Sequence, residues 1–312
     1  MKQAEASNTA KVIAASTILL ASETRTSALV APGAAELCRL LLSANRFDRW
    51  LANSAANPLT RALWRWVERL TLPGIMAHYW YRKRWIERRC RRVINAGAER
   101  LLVIGAGFDT LGLRLAAENP ALEVIEIDHP ATQNAKRLAL DGALGSNAAW
   151  CPANLRFLAC DLAVTPLPPS LFDDAKPWVV VIEGVLMYLP PAEVTRLLHS
   201  LRKLANGRVC IIFSFMTAWP DGGSGFRPKS WLVERWLAWR KEPFTWSLAP
   251  TEMASFLCDH GYRLQELRLT REFTDSQLDN DSLLDGENLV VCVPDTKNPL
   301  TPVAIRAAHD HP

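Results

Sequence analysis

The chain has no paired cysteine motif. Its seven cysteines (Cys38, Cys90, Cys151, Cys160, Cys210, Cys258 and Cys292) are odd in number, scattered and never spaced C-x-x-C. That excludes a disulfide framework and points to reduced thiols in a cytoplasmic protein. The six histidines show no H-E-x-x-H or similar spacing, so no metal is expected. No apolar run approaches the ~20 residues of a membrane-spanning helix. Residues 12–20 are apolar but interrupted by Ser16 and Thr17, and no convincing cleavage site follows, so neither a signal peptide nor a membrane partner is expected. Charge of one sign is also lacking. The 36 Lys and Arg against 32 Asp and Glu leave +4, and without an aromatic RNA-binding signature a nucleic-acid partner is not expected. There is no internal repeat. What remains, 49% hydrophobic and 22% charged, is the composition of an ordinary globular protein.

The most informative stretch is Leu101-Leu102-Val103-Ile104-Gly105-Ala106-Gly107-Phe108-Asp109-Thr110, an apolar strand running straight into two glycines and an acid. Glycines at 105 and 107 permit backbone angles closed to other residues and leave room for a nucleoside above the strand end. About 20 residues on, residues 122–128 read as a second strand closing on Asp128, from which a carboxylate can hold ribose hydroxyls. A dinucleotide fingerprint needs a third small residue where Thr110 stands, so NAD is disfavoured but stays open.

Residues 22–95 are helical in pattern and form an N-terminal cap, assigned to 1–95. Its Trp50, Trp64, Trp66, Trp80 and Trp85 read as core or as a lid over a pocket. From 96 to 294 strands and helices alternate, as in a parallel sheet covered on both faces. Strands are expected at 100–104, 122–128, 155–159, 178–182 and 208–213. Helices are expected at 111–118, 131–140, 191–204 and 250–260. An insertion near 219–248 carries a further helix at 230–239. Residues 262–268 and 289–293 pair as a final antiparallel hairpin, and 295–312 form a flexible tail. The fold class is α/β, a doubly wound, mostly parallel, seven-stranded sheet with a helical cap.

Ligands of open α/β sheets settle outside the carboxyl ends of the strands. There the sequence puts Gly105, Gly107, Asp128, Asp161 with Leu162, and Glu183 with Gly184. Acids gathered in one cleft repel unless a polyhydroxylated or cationic ligand meets them. S-adenosylmethionine answers this with ribose hydroxyls for Asp128, an adenine amine for Asp161, and ammonium and sulfonium charge near Glu183.

The motifs Gly105-Ala106-Gly107-Phe108-Asp109-Thr110 with Arg114, Glu126-Ile127-Asp128-His129-Pro130 with Lys136, Cys160-Asp161-Leu162, and Glu183-Gly184-Val185-Leu186-Met187-Tyr188-Leu189 together resemble the leucine carboxyl methyltransferase family, including its bacterial members and the tetracenomycin-type polyketide O-methyltransferases. The resemblance implies the Rossmann-like fold of class I methyltransferases. It also implies a S-adenosyl-L-methionine-dependent O-methyltransferase, with cofactor contacts from Arg82, Arg84, Gly105, Ala106, Gly107, Asp109, Asp128, His129, Asp161, Leu162, Glu183 and Gly184. The family's R-x-R-x-x-D pattern is matched by Arg82-Lys83-Arg84-Trp85-Ile86-Glu87. Arg82, or next Arg84, is expected to clamp the cofactor carboxylate. Arg88, Arg89, Arg91 and Arg92 read as a solvated basic face, and Arg25 corresponds to an early basic contact of the family. A carboxylate acceptor needs no general base, whereas a hydroxyl needs one, with His129 and Tyr188 as candidates. The acceptor is expected to be a small molecule, apolar or aromatic, bearing a carboxyl or hydroxyl. The alternatives are a nicotinamide-dependent oxidoreductase and a non-catalytic nucleoside-binding protein.

Overall fold

A computed structural model describes residues 6–144, 151–172, 175–227, 244–272 and 284–296. Seven strands form one sheet: β1 (Arg100–Ile104), β2 (Glu123–Asp128), β3 (Leu155–Ala159), β4 (Trp178–Ile182), β5 (Val209–Met216), β6 (Tyr262–Arg268) and β7 (Glu287–Pro294), in the order β3-β2-β1-β4-β5-β7-β6. Between β1 and β5 the strands alternate with helices α6 (Leu111–Glu118), α7 (Pro130–Leu144) and α8 (Pro191–Leu201), and α9 (Met253–Asp259) precedes β6. The expected α/β fold is therefore present.

By contacts the chain divides into two compact units. The first comprises Met1–Arg84, Gly105–Asp161 and Ser230–Pro243. Its cap opens with α1 (Asn8–Ala21), a helix the sequence reading left unassigned ahead of residue 22. Ser7 Oγ caps it by accepting the Ala10 N–H at 3.2 Å, and Ala14, Ala15, Ile18, Leu19 and Leu20 are buried. Helices α2 (Ala34–Leu41) and α3 (Arg46–Ala56) pack on it. Asn45 starts α3, its Oδ1 accepting the Asp48 N–H at 2.8 Å. Pro58 occupies the first turn of α4 (Pro58–Thr71), where its missing N–H costs nothing. In the same unit β2 and β3 run parallel, with Asp128 beside Ala159.

The second unit comprises Trp85–Ile104, Leu162–Lys229 and Phe244–Pro312, so α5 (Ile75–Asn95) begins in one unit and ends in the other. Here β1 pairs parallel with β4, and β4 with β5. Every residue of β4 and β5 is buried, the continuous apolar pattern of strands covered on both faces. The antiparallel hairpin of β6 and β7 is present, and β7 also pairs antiparallel with β5.

Several expectations change. β5 runs on to Met216, because Ser214 and Met216 are buried in the ladder with β7. The helix expected to reach 204 ends at Leu201, where the chain turns through Ala205 and Asn206 at φ 46° and 55° before β5. Arg89, read as solvated, is buried, because a bidentate pair with Glu266 (3.1 and 2.7 Å) and the Trp85 ring at 4.5 Å satisfy its guanidinium. Trp80 and Trp85 are core as expected, whereas Trp50 and Trp66 are 62% and 58% exposed. The helix expected at 230–239 and nearly all of the tail lie outside the described residues.

Candidate functional site

Immediately after β1 the backbone turns on Gly105 and Gly107, at φ 68° and 49°. The N–H groups of Gly105 and Ala106 both donate to Ile127 O, at 2.8 and 3.3 Å, which ties the turn to the end of β2. A Cβ on Gly107 would stand 3.0 Å from the Ala10 Cβ of α1, so glycine there serves both the positive φ and the approach of that helix.

Asp128, the last residue of β2, reaches across to this turn. Its Oδ2 accepts the Gly107 N–H, and Oδ1 accepts the His129 N–H at 2.6 Å. Desolvation still holds the carboxyl above its ordinary pKa, against the opposing pull of these two donors. Each oxygen keeps a further acceptor site, so hydroxyl donors from a ligand would restore what water has lost. His129 Nδ1 accepts the Ala131 N–H at 3.3 Å, and its Nε2 lies 3.7 Å from Asp161 Oδ2, just beyond the end of β3.

The turn is braced by charge from behind. Asp109 Oδ1 accepts the Thr110 N–H at 2.6 Å, and its Oδ2 pairs with Lys83 Nζ at 3.0 Å. Burial raises the Asp109 pKa, but Lys83, then Lys136 and Arg114, together bring it down to about 2. Lys136 Nζ donates to Asp109 O at 2.6 Å and pairs with Glu126 Oε2 at 2.7 Å, both side chains being withdrawn from solvent. Burial nonetheless outweighs Lys136 and keeps the Glu126 carboxyl above its usual range. Gly112 in α6 makes room for it, since a Cβ there would stand 2.4 Å from Glu126 Oε1.

Of the expected clamp residues, Arg82 is buried with its guanidinium 5.2 Å from the Tyr79 ring, and Arg84 lies 5.2 Å from the Trp80 ring. Lys83, which stands between them, pairs with Asp109 of the glycine turn. Sequence reasoning missed it, and nothing in its spacing marks it out. Ala10 was missed too, since a small apolar residue on a helix carries no signal of its partner. Arg25 lines a surface cavity of about 610 Å3 with Arg61 and Arg65. This lies at the far end of α1 from Ala10, about 16 Å along the helix at 1.5 Å per residue. Within the second unit, Gly184 follows Glu183 at φ 65° and donates its N–H to Ser214 Oγ at 2.8 Å. Leu162 O accepts from Arg196 Nη2 at 3.3 Å, and the Tyr188 ring lies 5.6 Å from that of Phe244.

Comparison with known proteins gives a consistent picture. The family model described as leucine carboxyl methyltransferase matches residues 17–202, more than half of the chain. A Bacillus subtilis (strain 168) protein provisionally named S-adenosyl-L-methionine-dependent methyltransferase YktD is 28% identical over 174 residues, 54% of this chain and 54% of its own. A Mycolicibacterium paratuberculosis protein with the same provisional activity is 31% identical over 214 residues, 62% of this chain and 64% of its own. The chain thus spans about half to two thirds of the length of these curated relatives. Among solved structures, a DUF574 family protein of Streptomyces avermitilis superposes with a TM-score of 0.53 at 16% identity, covering 76% of this chain and 91% of that one. A protein of Thermobifida fusca provisionally described as a methyltransferase gives 0.53 at 18%, covering 77% and 90%. These two likenesses concern the fold.

Proposed function

The chain belongs to the leucine carboxyl methyltransferase family, and from that premise we propose that it is a S-adenosyl-L-methionine-dependent O-methyltransferase acting on a carboxylate or hydroxyl of a small acceptor. The observation that carries this reading is the Asp128 carboxylate, fixed by the Gly107 and His129 N–H groups beside a turn with no side chain on Gly105 or Gly107. That donor set fits a ribose, whose hydroxyls Asp128 accepts, while Asp161 stands close by to take an adenine amine. The bound donor supplies an electrophilic methyl group on a sulfonium.

The chain's own residues do the rest by positioning. The turn is held by Ile127 O and braced by Lys83 and Lys136 through Asp109, so it needs little rearrangement on binding. Arg82 and Arg84 remain the proposed holders of the donor's carboxylate. A carboxylate acceptor arrives ionised near neutral pH and asks no proton transfer of the protein. For a hydroxyl acceptor, His129 and Tyr188 are the proposed bases.

Titration calorimetry with S-adenosylhomocysteine, followed by transfer of labelled methyl to an acceptor panel, tests this. Binding and transfer are expected, and release of labelled methanol by mild alkali marks an ester rather than an ether. Binding of NADH with none of S-adenosylhomocysteine would overturn the reading.

A further inference from the structure

Helices α3 and α4 both expose large apolar side chains. On α4, Leu59, Leu63, Trp66, Val67 and Leu70 are 85%, 57%, 58%, 45% and 56% exposed, at the i, i+4, i+7, i+8, i+11 spacing that puts them on one stripe. On α3, Phe47 and Trp50 are 60% and 62% exposed, with ring centroids 5.8 Å apart. Such a stripe is ordinarily what a helix turns toward the core, and large apolar side chains left exposed together on one helix mark an interaction site. The exposed charges carried by these two helices are of one sign. Arg46, Arg49 and Arg69 are exposed, whereas Asp48 and Glu68, the two carboxylates of these helices, are buried and paired inward with Lys11 and Arg65 at 2.9 Å each.

We propose that the α3–α4 face docks on the surface of a membrane rich in anionic phospholipid. Aromatic and leucine side chains on one side of a helix, with arginines at its flanks, suit the boundary between headgroups and acyl chains. The arginines meet lipid phosphates, and no exposed carboxylate on either helix opposes them. A second copy of the chain fits less well, because a two-fold contact brings identical patches together and sets three arginines against three. The helices lie along the surface rather than cross it. Among the described residues no helix is long and apolar enough to span a bilayer.

Co-sedimentation of the full chain with phosphatidylglycerol–phosphatidylcholine vesicles and with phosphatidylcholine vesicles tests this. Binding to the anionic vesicles is expected, at least ~10-fold stronger than to neutral ones and weakening with added salt. Arg46→Glu, Arg49→Glu and Arg69→Glu together should lower it by ~100-fold or more. Trp50→Ser with Trp66→Ser should lower it by ~10-fold or more. S-adenosylhomocysteine affinity and the melting curve report that the variants are folded. If a variant fails to fold, the blue shift of wild-type tryptophan emission on anionic vesicles, and its quenching by brominated lipid, replace it. Absence of binding, or equal binding to both vesicle types, overturns the proposal. So does a dimer in sedimentation velocity that Trp66→Ser dissolves, which would assign the face to a second copy.

Discussion

A carboxylate held by two backbone amides has given up water without giving up its remaining lone pairs, and Asp128 is in that state. Asp128→Ala is expected to weaken S-adenosylhomocysteine binding by about 1–3 kcal/mol, the scale of buried hydroxyls left unpaired, read by calorimetry. An unchanged dissociation constant would remove Asp128 from the site. Asp109 makes a prediction about acid. Its folded pKa of about 2 lies below the ordinary 3.8. Its ionised form therefore stabilises the fold above pH ~4, and that contribution is lost as the pH falls through about 2. Lys83→Met should remove up to about 2 kcal/mol at neutral pH and flatten stability against pH between 4 and 2, measured by urea unfolding. The closeness of Asp128 to the glycine turn was legible in the sequence, because an acid closing the next strand about 20 residues on lands beside the turn in a β-α-β unit. The partner of Asp109 was not. Residues 83 and 109 are far apart along the chain, and only folding sets Lys83 beside the turn.

At the scale of elements, α6 presents a case where helix propensity misleads. Replacing a helical glycine by alanine usually stabilises by roughly 0.5–1 kcal/mol. Gly112→Ala is expected to destabilise instead, because its Cβ would collide with the buried Glu126 carboxylate paired to Lys136. Thermal melting checks the sign, and a raised midpoint would show that Glu126 can move aside. The strands were readable since apolar runs such as Trp178–Ile182 end at glycine or acid, and β-branched residues exclude much else. The helical cap was readable as helix, but not which face is covered. Periodicity finds the stripe on α4, and only the packing reveals that Leu59 and Trp66 lie outside it. For the same reason Arg89 was taken for a surface residue, its partner Glu266 belonging to a strand far along the chain.

Across the whole molecule the seven thiols are free, and only Cys258 is exposed. Burial pushes the Cys38 and Cys210 thiols up to about 12, and raises those of Cys90 and Cys292 well above the ordinary value. Thiolate is the reacting form, so a disulfide reagent at pH 8 is expected to label one site rapidly in the native protein and seven after denaturation, with Cys258→Ser abolishing the rapid phase. Several fast equivalents would mean that the core opens readily. The strand order carries a consequence for synthesis. Because β7 is threaded between β5 and β6, the last strand in chain order among the described residues is an interior one. A nascent chain halted before residue 287 therefore holds β5 with a bare edge and β6 with no neighbour. A premature stop there would produce an aggregation-prone fragment, not a trimmed version of the same protein.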